Sequence, residues 1–287
     1  MMAFSTLIIS VMLYTIVGPT APGAVESARA AFEKGNYSAA VEMVTAALSK
    51  GPKDPSLHYW ALRSYYELHD FERAVAHGEE AVKLDPANAE YNRWLGRAYG
   101  EKAEQNHSFF LARKVKQAFE AAVHLAPTSI PARRDLMEFL AQAPWIVGGD
   151  KQKAKEQIDA ISEMDSTEGH LARGSYFKAE KKWKEAEAEY AAVLDAAPRR
   201  IESCIEAAQF FEERRDAQKI ERAVESGSRI DSKDPRLAYY NAVSLILKRS
   251  NLPTAERLLR SYIADIPERS DYPSHKEARE WLSRIGR

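Results

Sequence analysis

The stretch with the most chemical promise is Ala143 to Gln157, "APWIVGGDKQKAKEQ". Two glycines and an aspartate directly before a lysine-rich helical run could leave free backbone amides around an anion, as phosphate-cradling loops do. The stretch has no Gly-Lys-Ser/Thr, no further spaced glycine and no strand-like run before it. A turn between two helices, with Asp150 as N-cap of the run from Lys151, therefore fits better. Trp145 and Ile146 are expected to tuck against the adjacent helices, whereas an exposed Trp145 would point to a partner contact. The other reactive residue types do not converge. His58, His69, His77, His107, His124, His170 and His275 are scattered, with no HExxH and no His/Cys group. Ser175 follows Gly174 in "RGSYF" without the G-x-S-x-G frame. Glu185 and Glu189 lie one helical turn apart but alternate with lysines, the pattern of a solvated face. Cys204 is the single cysteine, so it has no disulfide partner and no second thiol for a metal; it is expected as a small buried apolar residue. The inventory predicts no catalytic set, metal site or cofactor.

Composition narrows the partners. The 287 residues are 45% hydrophobic, enough for a sizeable core, and 41 Lys plus Arg balance 42 Asp plus Glu. A net charge of -1 gives no field that would gather nucleic acid, so such a partner is disfavoured. No charged residue precedes Glu26, and Ala3 to Val17 is almost wholly apolar, followed by Gly18, Pro19 and the small residues of "PTAPGA". Residues 1–24 resemble a secretory signal peptide with cleavage near Gly23 or Ala24. The alternatives are a retained membrane segment, although a 15-residue helix rises only ~22 Å against a ~30 Å hydrocarbon core, and a buried N-terminal helix. Export to a bacterial periplasm is the expected location, with membrane anchoring or secretion as alternatives.

The elements that must position any site come from a repeat. Aligning "KGNYSAAVEMVTAALSKGP" with "LHDFERAVAHGEEAVKLDP" pairs Tyr37 with Phe71, Ala40 with Ala74, Ala47 with Ala81 and Pro52 with Pro86, each 34 residues apart. Further copies end at Pro127, Pro198, Pro235 and Pro267. A small residue (Ala40, Ala74, Ala154, Ala186, Ala223, Ala255) stands where two helices must approach closely, and the closing proline fixes the turn to the next unit. The third unit is longer by seven residues within "GEKAEQNHSFFLARKVKQAFE", close to two helical turns, which lengthens a helix pair without rotating its buried face. Ser274 followed by Glu277 forms a capping-box pattern ahead of Ala278, Trp281, Leu282 and Ile285, which share one helix face.

With "YNRWLGRAYG" placing Trp94, Leu95, Gly96 and Tyr99 at bulky, leucine, small and aromatic positions, the chain resembles the tetratricopeptide repeat family. That resemblance implies an all-α, right-handed superhelical solenoid of six to seven helix pairs over residues 25–270, with a capping helix at 271–287. In that family first helices line a concave surface that usually holds extended peptides. On this frame Arg93 and Arg97 turn away from the repeat core, Arg63 and Arg134 take comparable places on flanking first helices, and Tyr59 and Tyr66 lie nearby. These six residues are the candidate peptide-binding set, and the arginine forks would suit an acidic peptide or a C-terminal carboxylate. The alternative is pairing of the arginines with Glu90, Glu101 and Glu138. The function expected is a non-catalytic interaction scaffold or adaptor for protein or peptide partners. A membrane-anchored assembly factor and an enzyme with its site at the 144–150 loop are the alternatives.

Overall fold

A computed structural model describes residues 21–51 and 53–286; the candidate leader lies almost wholly outside them. The described residues form helices joined by short turns, with no strand among them. Seven consecutive pairs run α1 (Ala21–Glu33) with α2 (Tyr37–Leu48), α3 (Pro55–Glu67) with α4 (Phe71–Leu84), α5 (Ala89–Gln105) with α6 (Phe109–Leu125), α7 (Ile130–Gln142) with α8 (Lys151–Met164), α9 (Ser166–Ala179) with α10 (Trp183–Asp195), α11 (Ile201–Arg214) with α12 (Ala217–Ile230), and α13 (Pro235–Leu247) with α14 (Leu252–Asp265). The short α15 (His275–Leu282) follows.

Local chemistry sets the helix starts. Asp54, Asp70, Asn88, Ser108, Ser129, Asp150, Asp165, Asp216 and Asp234 each accept first-turn amides at an N-cap, satisfying donors the helix itself cannot. Ser166, which stands where the fourth unit lacks a closing proline, opens α9 directly after the Asp165 cap. Ala40, Ala74, Ala154, Ala186, Ala223 and Ala255 on the second helices are all at 0% exposure, so the repeat's small position is a point of close helix contact in these six units, whereas the third carries Val115 there. First helices pack on successive first helices from α1 through α13, while each second helix packs between its own first helix and the next. One row of first helices thus faces inward. The core is continuous, because α9 belongs to both of its halves through Ala172, Tyr176 and Leu171.

Two features depart from a plain repeat array. Helices α5 and α6 have 17 residues each, the longest among those described, and project beyond their neighbours as the seven-residue excess requires. At the other end α15 begins with the expected capping box and is clamped to α11, where Glu212 accepts from Trp281 Nε1 at 2.5 Å and from Tyr239 Oη at 2.7 Å. The segment between α14 and α15 then reaches back to the first two units. Pro267 lies so close to Gly35 that a Cβ there would come within 2.6 Å, Tyr37 Oη donates to the Glu268 carbonyl at 3.4 Å, and Ser270 donates to Glu67 through its amide (3.1 Å) and hydroxyl (2.9 Å). The row of first helices is therefore closed by a strap rather than left open.

Candidate functional site

The inner face carries a ladder of ion pairs joining successive first helices. Arg93 and Arg97 are four residues apart on α5, and both reach Asp135 on α7: Arg93 Nε at 2.8 Å, Arg97 Nε at 2.9 Å and Arg97 Nη2 at 2.7 Å. Arg93 also grips Glu90 through Nη1 at 2.7 and 2.9 Å. Arg134 on α7 makes a two-pronged contact with Glu206 on α11, both prongs at 2.7 Å, and lies 3.7 Å from Glu138 and 3.9 Å from Glu168. Glu168 on α9 is buried and accepts from Ser203 at 3.1 Å and Arg200 at 3.4 Å. Planar forks on carboxylates hold direction as well as charge, so the ladder fixes the relative positions of α5, α7, α9 and α11.

Burial tunes these groups. It would lower the Arg97 guanidinium, but the hydrogen bonds and charge of Asp135 outweigh it and raise the group; Glu206 does the same for Arg134. Glu138 is pushed up, first by burial, with Asp135 and Glu206 adding to it while Arg134 opposes. A concavity of roughly 940 Å³ spans the ladder and is bordered on the strap side by Ser270 and Asp271.

The structure gathers the six sequence candidates unevenly. Arg93, Arg97 and Arg134 lie on the concavity. Arg63 sits apart in an aromatic cage, its guanidinium carbon 3.7 Å from the Trp94 ring centre and 4.7 Å from that of Phe32, with Nη1 donating to Tyr59 Oη at 3.0 Å. Its Nε is buried without a hydrogen-bond partner, and no carboxylate pairs with it among the described residues. Tyr66 Oη donates to Glu101 at 3.1 Å. Of the pairings expected, Glu90 with Arg93 and the longer Glu138 with Arg134 are present, but Asp135 takes Arg97 and Glu206 is the main partner of Arg134. Asp135 and Glu206 escaped sequence reasoning because they lie 38 and 72 residues from their partners, one and two units on. Superposing the first helices in register is the signal that finds them.

The 144–150 turn answers the anion question by its hydrogen bonds. The Gly148 amide donates to Trp145, Gly149 to Pro144 and Asp150 to Leu140, while the Asp150 carboxylate takes the Gln152 and Lys153 amides at 3.0 and 3.1 Å. The amides a phosphate would need are committed. Gly148 has φ +103°, and a Cβ on Gly149 would fall 1.8 Å from the Ala143 carbonyl oxygen, so both glycines serve the turn. That tight path buries Val147 and turns its two predecessors outward. Trp145 is 84% exposed and Ile146 51%, correcting the expectation that they tuck inward.

Other expectations also change. His58 and His77 are not scattered: their Nδ1 atoms are 3.1 Å apart between α3 and α4, and burial lowers His58 and takes His77 down to about 4. Glu189 is not merely solvated, since it accepts from Arg173 Nε at 3.0 Å and lies 2.7 Å from His170 Nδ1. Cys204 is buried as expected, and burial raises its thiol to about 11.

Comparison with known proteins comes to the same architecture. Residues 25–89 and 61–102 match the tetratricopeptide repeat family model. No curated protein matches the chain. Among solved structures, a thermophilic TPR protein of Thermus thermophilus is 20% identical over 66% of this chain and 98% of its own, with a TM-score of 0.53. A tetratricopeptide repeat protein of Parabacteroides merdae is 14% identical over 92% of this chain and 98% of its own, with a TM-score of 0.50. Human IFIT1, solved as a dimer with PPP-AAAA, is 18% identical over 83% of this chain and 53% of its own, with a TM-score of 0.52. At these identities the likeness is one of fold.

Proposed function

Since the chain is a tetratricopeptide repeat protein, an interaction scaffold in general terms, we propose that it is a non-catalytic, exported adaptor holding a partner's peptide segment on its concave face. The observation that carries this reading is the concavity of roughly 940 Å³ crossed by the ion-pair ladder. The ladder also gives the face a direction. Beyond the α5 edge of the concavity the caged Arg63, beside Tyr59 and Trp94, has no carboxylate partner among the described residues. At the α7–α11 end Glu138, Glu168 and Glu206 surround Arg134. An acidic segment or terminal carboxylate is favoured toward Arg63, because elsewhere it would have to displace Asp135 or Glu206 from forks already filled.

Export rests on the apolar run Ala3 to Val17, and the periplasm is the compartment we favour. A cut after Gly23 would remove only the first three residues of α1. The second reading is a membrane-attached assembly factor that keeps this segment; no helix among the described residues is long and apolar enough to cross a membrane.

Affinity capture of the full-length protein from its host, with the bait's N-terminal peptide read in the same mass-spectrometry run, tests both. A mature end near Val25 and a partner lost on Arg63→Ala and Arg93→Glu supports the exported adaptor. An intact Met1 with membrane proteins co-purifying supports the assembly factor. A partner retained by both arginine variants sinks the concave-face reading.

A further inference from the structure

A second groove, of roughly 660 Å³, opens where the elongated α5 and α6 stand beyond α7. Its floor is apolar and shallow, built from Ala103, Ala112, Val115, Phe119, Phe139 and Pro144. Further large apolar side chains stand exposed outside the lining. Phe109, in the first turn of α6, is 65% exposed, and Trp145 and Ile146, 84% and 51% exposed, follow the groove-lining Pro144 in the chain, while Phe110, 70% exposed, turns to Lys114 on the α4 side. The start of α6 and the turn after α7 are tied, because Arg113, one turn after Phe109, donates to the Ile146 carbonyl at 3.5 Å. Large apolar side chains grouped at an edge in this way mark an interaction surface.

Gly100 says what kind of object comes close. It lies inside the 17-residue α5, where glycine is costly relative to alanine, and it lines the groove. Gly96, one turn earlier, has a packing reason, since a Cβ there would meet the Phe119 ring at 2.5 Å. A Cβ on Gly100 would meet nothing within 4 Å. The folded chain itself makes no use of that space, and a small residue on a helix lets a second backbone approach closely.

Charge selects the occupant. Arg97 and Asp135 at the inner end of the groove neutralise one another. Glu101 and Glu104 remain on the α5 wall, held by no more than the Tyr66 hydroxyl, and Glu138 stands on the α7 wall with Ser175 at 3.4 Å and Arg134 at 3.7 Å. Against these three carboxylates the rim offers Arg113, which is engaged by a carbonyl. Carboxylates on both walls repel anionic lipid headgroups and acidic segments alike, and attract lysine and arginine.

We propose that this groove docks a basic amphipathic helix of a partner protein, its apolar face on the floor and against Gly100, its lysines or arginines meeting Glu101, Glu104 and Glu138. Apolar anchors at i, i+3, i+4 and i+7 would fill the floor between the α5 and α7 walls. The groove adjoins the larger concavity, sharing Arg97, Asp135 and Glu138 with it, but it is separate from the Arg63 end and stands without that reading.

The test pans the immobilised full-length chain against a phage-displayed library of random 16-residue peptides. Enriched peptides should carry helical apolar spacing and net positive charge, and a synthetic copy of the strongest should bind Gly100→Leu at least ten-fold more weakly while melting temperature is unchanged or higher. Glu101→Lys with Glu104→Lys, both on exposed or half-exposed positions, should weaken it at least ten-fold as well, and Arg63→Ala should leave it unchanged. The proposal is overturned by a library that enriches nothing or enriches acidic peptides. It is equally overturned if Gly100→Leu and the lysine pair both bind as the parent does. A dimer in sedimentation that Gly100→Leu dissolves would make the groove a self-interface, and vesicle binding lost in that variant would make it a lipid site; either result replaces the proposal.

Discussion

The second and third units follow the same repeat and end differently. In α3 and α4, of 13 and 14 residues, the bulky side chains turn into neighbouring helices, and Leu57, Ala61, Leu62 and Ala74 are wholly shielded. In α5 and α6, Trp94, Leu95, Phe119 and Ala122 do the same work, but the added length carries Phe109 and Phe110 past the end of any neighbour. A repeat's core is set by residues that must meet the next unit. Residues beyond that reach are free of the packing constraint, so their apolar character needs another cause.

The largest expected effect concerns what joins the elongated unit to the rest. Asp135 is buried and serves two guanidiniums from α5, so Asp135→Ala leaves Arg93 and Arg97 facing one another without their shared counter-charge. A loss of about 3–5 kcal/mol in urea unfolding is expected, the usual cost of stranding a buried charge. A loss under 1 kcal/mol would mean that the ladder is a solvated network and α5 is held by its apolar face alone. Next comes the regular unit. Ala74→Leu puts a large side chain at a position of 0% exposure between α3 and α4 and should cost about 1–3 kcal/mol in the same measurement.

The two units should also differ in their response to acid. Burial holds His77 down to about 4 and lowers its neighbour His58, both within the second unit. The unfolded chain takes up these protons near pH 6.5, while the folded chain refuses the His77 proton until about pH 4. Across that window the unfolded state binds more protons, so stability is full above pH 6.5 and falls as the pH drops toward 4. His77 retains some solvent, which limits the contribution to about 1–2 kcal/mol. In His77→Phe, whose ring can keep the stack on Tyr65, the melting temperature should fall less between pH 6.5 and 4 than in the parent. Parallel curves for the two proteins would show that the acid response lies elsewhere.

How much of this was readable beforehand follows from the range over which each cause acts. The helix pairs, the Asp150 cap, the Ser274 capping box and the buried alanines depend on residues within one repeat, where composition and spacing act directly. The 34-residue period also located the extra length of α5 and α6. The candidate arginines could be placed on first helices together with their same-helix partners Glu90 and Glu138, but not their partners on other helices. Asp135 and Glu206 stand one and two units beyond the guanidiniums they meet, and only the register between packed helices decides which acid each fork reaches. The outward Trp145 depends on a left-handed Gly148 and on carbonyls that Gly149 and Asp150 reach only once the turn has closed. The strap from Pro267 to Ser270 needs seven units of curvature to bring Glu67 and Tyr37 within reach, which no single repeat encodes.

The smallest effect sharpens the opening contrast most. Phe110→Ser and Trp145→Ala alter side chains that are 70% and 84% exposed, so each should shift stability by no more than about 0.5 kcal/mol. Lys114 lies 5.5 Å from the Phe110 ring centre, but it is also held by Glu79 at 2.9 Å, so losing the ring does not release the lysine. If both variants melt with the parent, the elongated unit and the turn after α7 keep their exposed aromatics for something outside the fold. A loss comparable to that of Ala74→Leu would instead show that the edge packs internally, and the difference between the two units would then be one of length alone.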